Sequence, residues 1–232
     1  MTLCCVSGYW IIKNKHDNKY NNWFNNSLKI NSPYIIFGNK QSIELIKTFR
    51  KNLPTYYIEL NIDDFYTTKY KDKMIVHSIH CPSIELNLIW NEKIFLIQKA
   101  KNINPFNSEY FLWIDAGICT YRDEKPPNSN FPDLDKLNLL PKDKFIYSSS
   151  NNFNSNLIKN DNYYHCISGT SYLLHENIID KFVEIYKIYL EKLINKNNIW
   201  TDQVILSYIY KDNFDLFYKF GDTYGEIVKK LF

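Results

Sequence analysis

Asp115 is the first residue whose type and position could do chemistry. It closes the run Tyr-Phe-Leu-Trp-Ile-Asp-Ala-Gly over residues 110–117, which suits a buried strand, and the glycine after it lets a ligand approach the backbone. In open α/β sheets ligands bind outside the carboxyl ends of the strands, so a lone carboxylate there suits a phosphate, a ribose or a metal. The plainer alternative is an Asp that caps a turn. Lys93 is the second such residue. Its helical neighbours three and four positions away are Ile89, Trp90, Leu96 and Ile97, all apolar, so an ammonium held there needs a partner. Phosphate oxygens or the Asp115 carboxylate would serve; the alternatives are a head that snorkels to solvent or pairs with Glu92. Arg122 is one of only two arginines, with Arg50, and bidentate phosphate contact is the special geometry of that side chain. It is equally compatible with a surface loop. Trp200-Thr201-Asp202-Gln203 opens a short apolar helix with Thr201 or Asp202 placed as its cap.

The elements that must position these groups follow from hydrophobic periodicity. Residues 2–6 read as a buried strand ending at Ser7-Gly8-Tyr9, and residues 20–30 carry Trp23, Phe24 and Leu28 at helical spacing. Strands over 34–37 and 56–60 flank a helix over 42–51. Strands alternating with helices across short loops predict a parallel sheet of right-handed βαβ units. Residues 83–102 form a helix buried on most sides, with Asn87, Asn91 and Gln98 on one stripe. Residues 122–140, rich in Pro, Asn and Asp, predict a long loop near the sheet's C-terminal edge, where such loops shape acceptor sites. Further strands are expected over 144–149, over 164–174 with an interruption at Ser168-Gly169-Thr170, and over 216–220, with helices over 178–194 and 204–210 and a turn over 221–225.

Composition bounds the rest. A chain of 232 residues with 45% hydrophobic and 17% aromatic content can bury a large core as one domain, residues 1–232. A net charge of +3 marks no dedicated nucleic-acid binder but permits a locally basic cleft for an anionic ligand. The five cysteines form no CxxC pair and are odd in number, which predicts a reducing compartment. The N-terminus has no basic region followed by a long apolar one, and no run reaches membrane-spanning length. A soluble, cytoplasmic protein with no membrane span and no organic cofactor is therefore expected. His16, His77, His80, His165 and His175 lack the HExxH spacing of a zinc hydrolase, and His77 with His80 suits a strand or turn.

Taken in order, Val6-Ser-Gly-Tyr9, Trp90-Asn-Glu-Lys93 with Gln98-Lys-Ala100, Phe111-Leu-Trp-Ile-Asp-Ala-Gly117, Ser168-Gly-Thr170 and Thr201-Asp-Gln203 resemble the WlaTC/HtrL family, a bacterial family taken to be glycosyltransferases, and more broadly enzymes of the GT-A fold. The resemblance implies a single-domain α/β GT-A-like fold with a Rossmann-type, mostly parallel central sheet flanked by helices. It implies a glycosyltransferase of the hexosyltransferase class that moves a sugar from a nucleotide-sugar donor, a UDP-sugar by preference, to a glycan or glycoconjugate hydroxyl. It puts Asp115 and Ala116 at the Asp-x-Asp position, which binds the donor's ribose and, through a divalent ion such as Mn2+ or Mg2+, its diphosphate. Gly117 stands where the second aspartate belongs. If a hard cation binds, Asp115 and Asp222 are the carboxylates expected to hold it; if none binds, Lys93 and Arg122 neutralise the leaving diphosphate. Tyr9 would stack on the donor base with Ser7 and Gly8 admitting it, Asp202 would take the acceptor's proton, and Ser168, Gly169, Thr170 and Gln203 would line the sugar or acceptor pocket.

Two other classes compete. A haloacid dehalogenase-type phosphohydrolase also begins with a strand ending in Asp, but Gly117 and Cys119 stand where its second acid and its threonine should be. A non-catalytic sugar- or nucleotide-binding or structural protein on a transferase fold would also tolerate the missing aspartate.

Overall fold

The computed structural model describes residues 2–12, 19–117, 119–150, 166–196 and 199–232. Seven strands form one mixed sheet: β1 (Leu3–Gly8), β2 (Tyr34–Gly38), β3 (Thr55–Glu59), β4 (Tyr110–Ile114), β5 (Phe145–Ser149), β6 (Ile167–His175) and β7 (Phe217–Gly221), in the order β3-β2-β1-β4-β6-β5-β7. Only β6 runs against its neighbours; the β1–β2, β1–β4, β2–β3 and β5–β7 pairs are parallel. The expected mostly parallel α/β sheet is present. Strand β4 ends at Ile114, so Asp115 projects from the strand's exit rather than lying within it. The start of the sixth strand expected at Tyr164 lies outside the described residues. Strand β6 itself is continuous, but its pairing with β5 slips: Tyr147 faces Tyr172 while Ser149 faces Ile167. The anticipated irregularity at Ser168-Gly169-Thr170 is thus a bulge against one neighbour, not a break.

Strand β4 shows how the sheet divides its side chains. Phe111 and Trp113 join one core while Tyr110, Leu112 and Ile114 join the other, as the two-residue period of a strand requires. The first core is covered by α3 (Ile84–Ile103), α5 (Glu176–Ile194) and α6 (Asp202–Asp212); the second by α1 (Lys19–Ser27), α2 (Lys40–Phe49) and the C-terminal α7 (Glu226–Lys230). Helix α3 starts where Ser83 Oγ accepts from Leu86 N at 3.2 Å and stops where Asn104 adopts a left-handed φ of 37°, a common way to end a helix. Inside it, Asn87 and Asn91 are buried and bonded to each other, Nδ2 of Asn91 donating to Oδ1 of Asn87 at 2.7 Å.

The segment 122–140 corrects an expectation. It leaves the C-terminal edge at Arg122 and crosses the second face, where α4 (Leu134–Asn138) buries Leu137. By Leu140, whose carbonyl accepts from Tyr110 Oη at 3.0 Å, it has reached the opposite edge. The cause is topological: β4 and β5 are both antiparallel to β6, so the chain must return to the edge where β4 began. No described helix is long and apolar enough to cross a membrane.

Candidate functional site

The carboxyl ends of β1 and β4, the first residues of β6 and the N-termini of α3 and α6 face a cavity of about 400 Å³, within the size range of small-molecule sites. At its floor lies Lys93. Its side chain is 3% exposed, and its Nζ donates to Gly169 O at 2.8 Å while lying 3.0 Å from Asp115 Oδ1 and 3.2 Å from Asp202 Oδ2. The anticipated partner Asp115 is there, together with Asp202. Glu92, the other candidate, turns away: it accepts from Tyr66 N at 2.9 Å, Thr67 N at 3.0 Å and Thr67 Oγ1 at 2.8 Å. Those bonds hold the 3-10 segment Tyr66–Lys73 against α3.

Each carboxylate is fixed by its own element. Asp115 N donates to Thr170 O at 2.8 Å, stitching the exit of β4 to the entry of β6. Its Oδ1 accepts from Trp113 Nε1 at 2.6 Å, and its side chain is 21% exposed. Asp202 opens α6. Thr201, not Asp202, is the cap: its Oγ1 accepts from Gln203 N at 3.4 Å. Thr201 Oγ1 lies 3.0 Å from Asp202 Oδ1 as donor. An anion in the first turn of a helix also gains from the helix dipole. Asp202 is only 4% exposed, and burial pushes its pKa up, opposed by the Lys93 ammonium and reinforced by Asp115. Burial disfavours the Lys93 charge, but the two carboxylates outweigh it and lift its pKa above the ordinary lysine value. The ammonium therefore persists.

Gly169 makes this contact possible. A Cβ there would lie 3.0 Å from both carboxylate oxygens of Asp202, so any other residue would press on that carboxylate, which would have to give by a few tenths of an ångström. Ser168 and Thr170 bond to each other through their hydroxyls at 2.7 Å; Thr170 lines the cavity and Ser168 is buried behind it. Gln203, Ala116, Gly117, Gly8 and Tyr9 also line it. Tyr9 is held, its Oη donating to Asn21 Oδ1 and its ring 5.2 Å from Phe24. Ser7 faces away from the cavity: fully buried, it donates to Ile114 O at 2.6 Å and ties β1 to β4. Arg122 donates through Nε and Nη2 to Gly117 O at 3.4 and 3.2 Å, and its guanidinium lies 4.1 Å over the Trp23 ring. It lines the cavity beside Asp115, so it is no ordinary surface-loop residue.

Asp222 is the candidate that the structure places elsewhere. It is exposed on the turn after β7 and pairs with Lys219 at 2.5 Å, outside the residues that line the cavity. That ammonium holds its carboxyl below the ordinary range. The sequence reading missed the aromatic wall formed by Trp10, Trp90, Trp113, Trp200, Tyr20 and Tyr224. Four of the five tryptophans line the cavity and the fifth, Trp23, carries Arg122. That concentration was the available signal. The expected turn at His77 and His80 is closed by a His77–Cys81 bridge, and both imidazoles stack on Trp200 with centroids 4.8 and 5.6 Å away. His16 and His165 lie outside the described residues, as does the Cys119 side chain.

Among the described residues the donor set does not fit a divalent cation. Asp115 and Asp202 already share the Lys93 ammonium, and Asp222 lies outside the cavity lining. At position 117 a Cβ would sit 2.5 Å from Tyr20 Cε1, so a side chain there would have to push the Tyr20 ring aside. Among the described residues no group of three or more His, Cys, Asp or Glu side chains is placed to hold a metal ion.

Solved structures share the fold at low identity. Mouse xyloside xylosyltransferase 1, apo form, superposes with a TM-score of 0.59 and 13% identity over 95% of this chain and 85% of that one. The galactosyltransferase LgtC, in complex with donor and acceptor sugar analogs, gives 0.52 and 12% over 88% and 69%. The chain thus has the GT-A fold of glycosyltransferases. No curated protein matches the sequence. The model of the HtrL_YibB family, described as bacterial protein of unknown function, matches residues 55–228, a span that includes Lys93, Asp115 and Asp202. The chain belongs to that family.

Proposed function

We propose that this HtrL_YibB-family chain is a glycosyltransferase that moves a sugar from a nucleotide-sugar donor, a UDP-sugar as our choice, to a hydroxyl of a glycan or glycoconjugate acceptor. The observation that carries the proposal is the Lys93-bridged pair Asp115 and Asp202 at the floor of an aromatic-walled cavity at the carboxyl end of the sheet. The GT-A fold supports the reaction class. In this reading Asp115 accepts a hydrogen bond from the donor's ribose. Aromatic faces from the cavity wall, Tyr9 among them, meet the base and the sugar ring. Thr170 and Gln203 contact the sugar or acceptor, while Gly169 leaves room for Asp202.

Transfer forms a bond between the acceptor oxygen and the anomeric carbon and breaks the bond from that carbon to the diphosphate. The acceptor's proton goes to Asp202, whose burial makes it a stronger base than a solvated carboxylate, and the nucleoside diphosphate leaves with the bonding pair. A binding protein that never turns over is the second reading. It is favoured by one observation, that Asp202 is already engaged by Lys93 and Thr201. Release of nucleoside diphosphate from a panel of UDP-, GDP- and CDP-sugars, with Asp202→Asn and Asp115→Asn as controls, separates them. Release that both substitutions abolish supports the transferase. Protection against heat by a donor that is never cleaved, with any acceptor, supports the binding protein.

A further inference from the structure

We propose that the Lys93 ammonium is the resident cation of this site. It stands between the two carboxylates where a divalent ion would have to sit, and the diphosphate of the donor is met by Arg122 without a metal. The proposal rests on the donor-site reading above and deepens it.

Three observations converge on it. First, both carboxylates already face a cation that cannot diffuse away: Nζ lies 3.0 Å from Asp115, 3.2 Å from Asp202 and 2.8 Å from Gly169 O, in a side chain 3% exposed. A metal entering between Asp115 and Asp202 would have to expel an ammonium whose pKa the same carboxylates hold high. Second, the position that would complete a carboxylate pair at the cavity surface is Gly117, with the Tyr20 ring 2.5 Å from where its Cβ would be. Hard divalent cations need several oxygen ligands, and the Asp115 surface offers one carboxylate, part of it already taken by Trp113. Third, a second cation does face the cavity. Arg122 is anchored at one side by the Gly117 carbonyl and from below by Trp23, and no carboxylate pairs with it among the described residues. Its planar fork, stacked and pre-oriented, is the geometry that grips phosphate oxygens.

The division of labour follows. Lys93 is a positioning residue that holds both carboxylates in place, and Arg122 is the group in contact with the diphosphate. Recognition should therefore split cleanly between nucleoside and phosphate. Losing Arg122 should weaken a nucleoside diphosphate and leave its nucleoside untouched, whereas chelation should weaken neither.

The test is calorimetric titration of the native protein with UDP, GDP, CDP and ADP, each in EDTA and in Mn2+. Titration of Mn2+ alone, followed by its electron paramagnetic resonance, completes the set. The expected result is no Mn2+ uptake and a Kd for the preferred nucleotide that agrees within about twofold between the two conditions. In Arg122→Gln that nucleotide weakens tenfold or more while its nucleoside is unchanged. Mn2+ uptake at the site, or a tenfold gain in nucleotide affinity with metal, overturns the proposal and leaves the transferase reading intact. An equal loss for nucleotide and nucleoside in Arg122→Gln overturns the role of Arg122. Failure of every nucleotide to bind in either condition, in a protein that melts cooperatively, removes the donor site itself and both readings with it. Should Arg122→Gln fail to fold, Arg122→Lys tests the same split, since it keeps the charge and loses the fork.

Discussion

Replacing Lys93 by Met keeps the length and apolar stem of the side chain and removes the charge. The cost can be worked from the geometry. Asp202, 4% exposed, is left with Thr201 as its hydroxyl partner, and Asp115 loses its only cation at hydrogen-bond range among the described residues. Removing one member of a buried ion pair typically costs about 3–5 kcal/mol. For a chain of this size that corresponds to a fall in Tm on the order of 6–20 °C. The pH dependence gives a second signature. Asp202 is already pushed above its ordinary 3.8, and without the ammonium it climbs further. The folded variant then keeps a proton that the unfolded chain has released, so stability falls as pH rises from about 4 upward, more steeply than in the native protein. Acidification should accordingly narrow the gap between the two. Adding Asp202→Asn to Lys93→Met should recover part of the loss, with a coupling of about 1–3 kcal/mol, because a neutral amide needs no counter-ion. Calorimetric melts across pH read all three quantities. A single variant within about 1 kcal/mol of native at neutral pH, with an unchanged pH profile, would refute the buried, cation-bridged pair and return Lys93 to a snorkelling role.

Burial pushes Glu92 up to about 7 from its ordinary 4.5, against the pull of its three hydrogen bonds. The folded protein therefore holds a proton there that the unfolded chain lacks, and stability should fall by at most about 1.4 kcal/mol per pH unit as pH rises between those values. Glu92→Gln should erase that slope and cost about 1–3 kcal/mol, because its amide would face donor N–H groups; melts with pH check both. Thr201→Ala should cost about 1 kcal/mol by removing the cap of α6, read as a shift in denaturant midpoint. Gly117→Asp should fail to confer Mn2+ binding and should cost about 1–3 kcal/mol through the clash with Tyr20. The double variant with Tyr20→Ala should regain stability; a metal signal from Gly117→Asp alone would contradict the crowding described.

The strands and the long helix were legible because each carries a strong local period: the alternation of Tyr110 to Ile114 between two cores and the apolar surround of Lys93 are properties of short windows. Asp115 was legible for the same reason, as a carboxylate at the end of an apolar run. What local windows do not carry is direction. That β6 runs against β4, and so delivers Gly169 and Thr170 to the exit of β4, depends on the path of the whole chain. The pairing of Lys93 with Asp202 depends on it too. The fate of residues 122–140 was misjudged on the same ground. Asp222 was nominated on residue type and failed on position, its partner Lys219 being three residues back on β7. The aromatic wall stayed hidden because its tryptophans come from a strand, a helix and two loops far apart in the chain, and a tryptophan in any short window reads as core whether or not it faces a cavity.

The gathering of every tryptophan at one place has an optical consequence. Indole emission responds to local polarity, to charge and to stacked rings. In most proteins the signal averages over sites with unrelated surroundings, but here nearly all of it originates within a few side chains of Lys93 and Arg122. Light absorbed by tryptophan alone thus interrogates the cavity and little else. The molecule carries its own unlabelled gauge of occupancy, on which filling of the cavity and loosening of the remote α2 or β3 would leave different spectra.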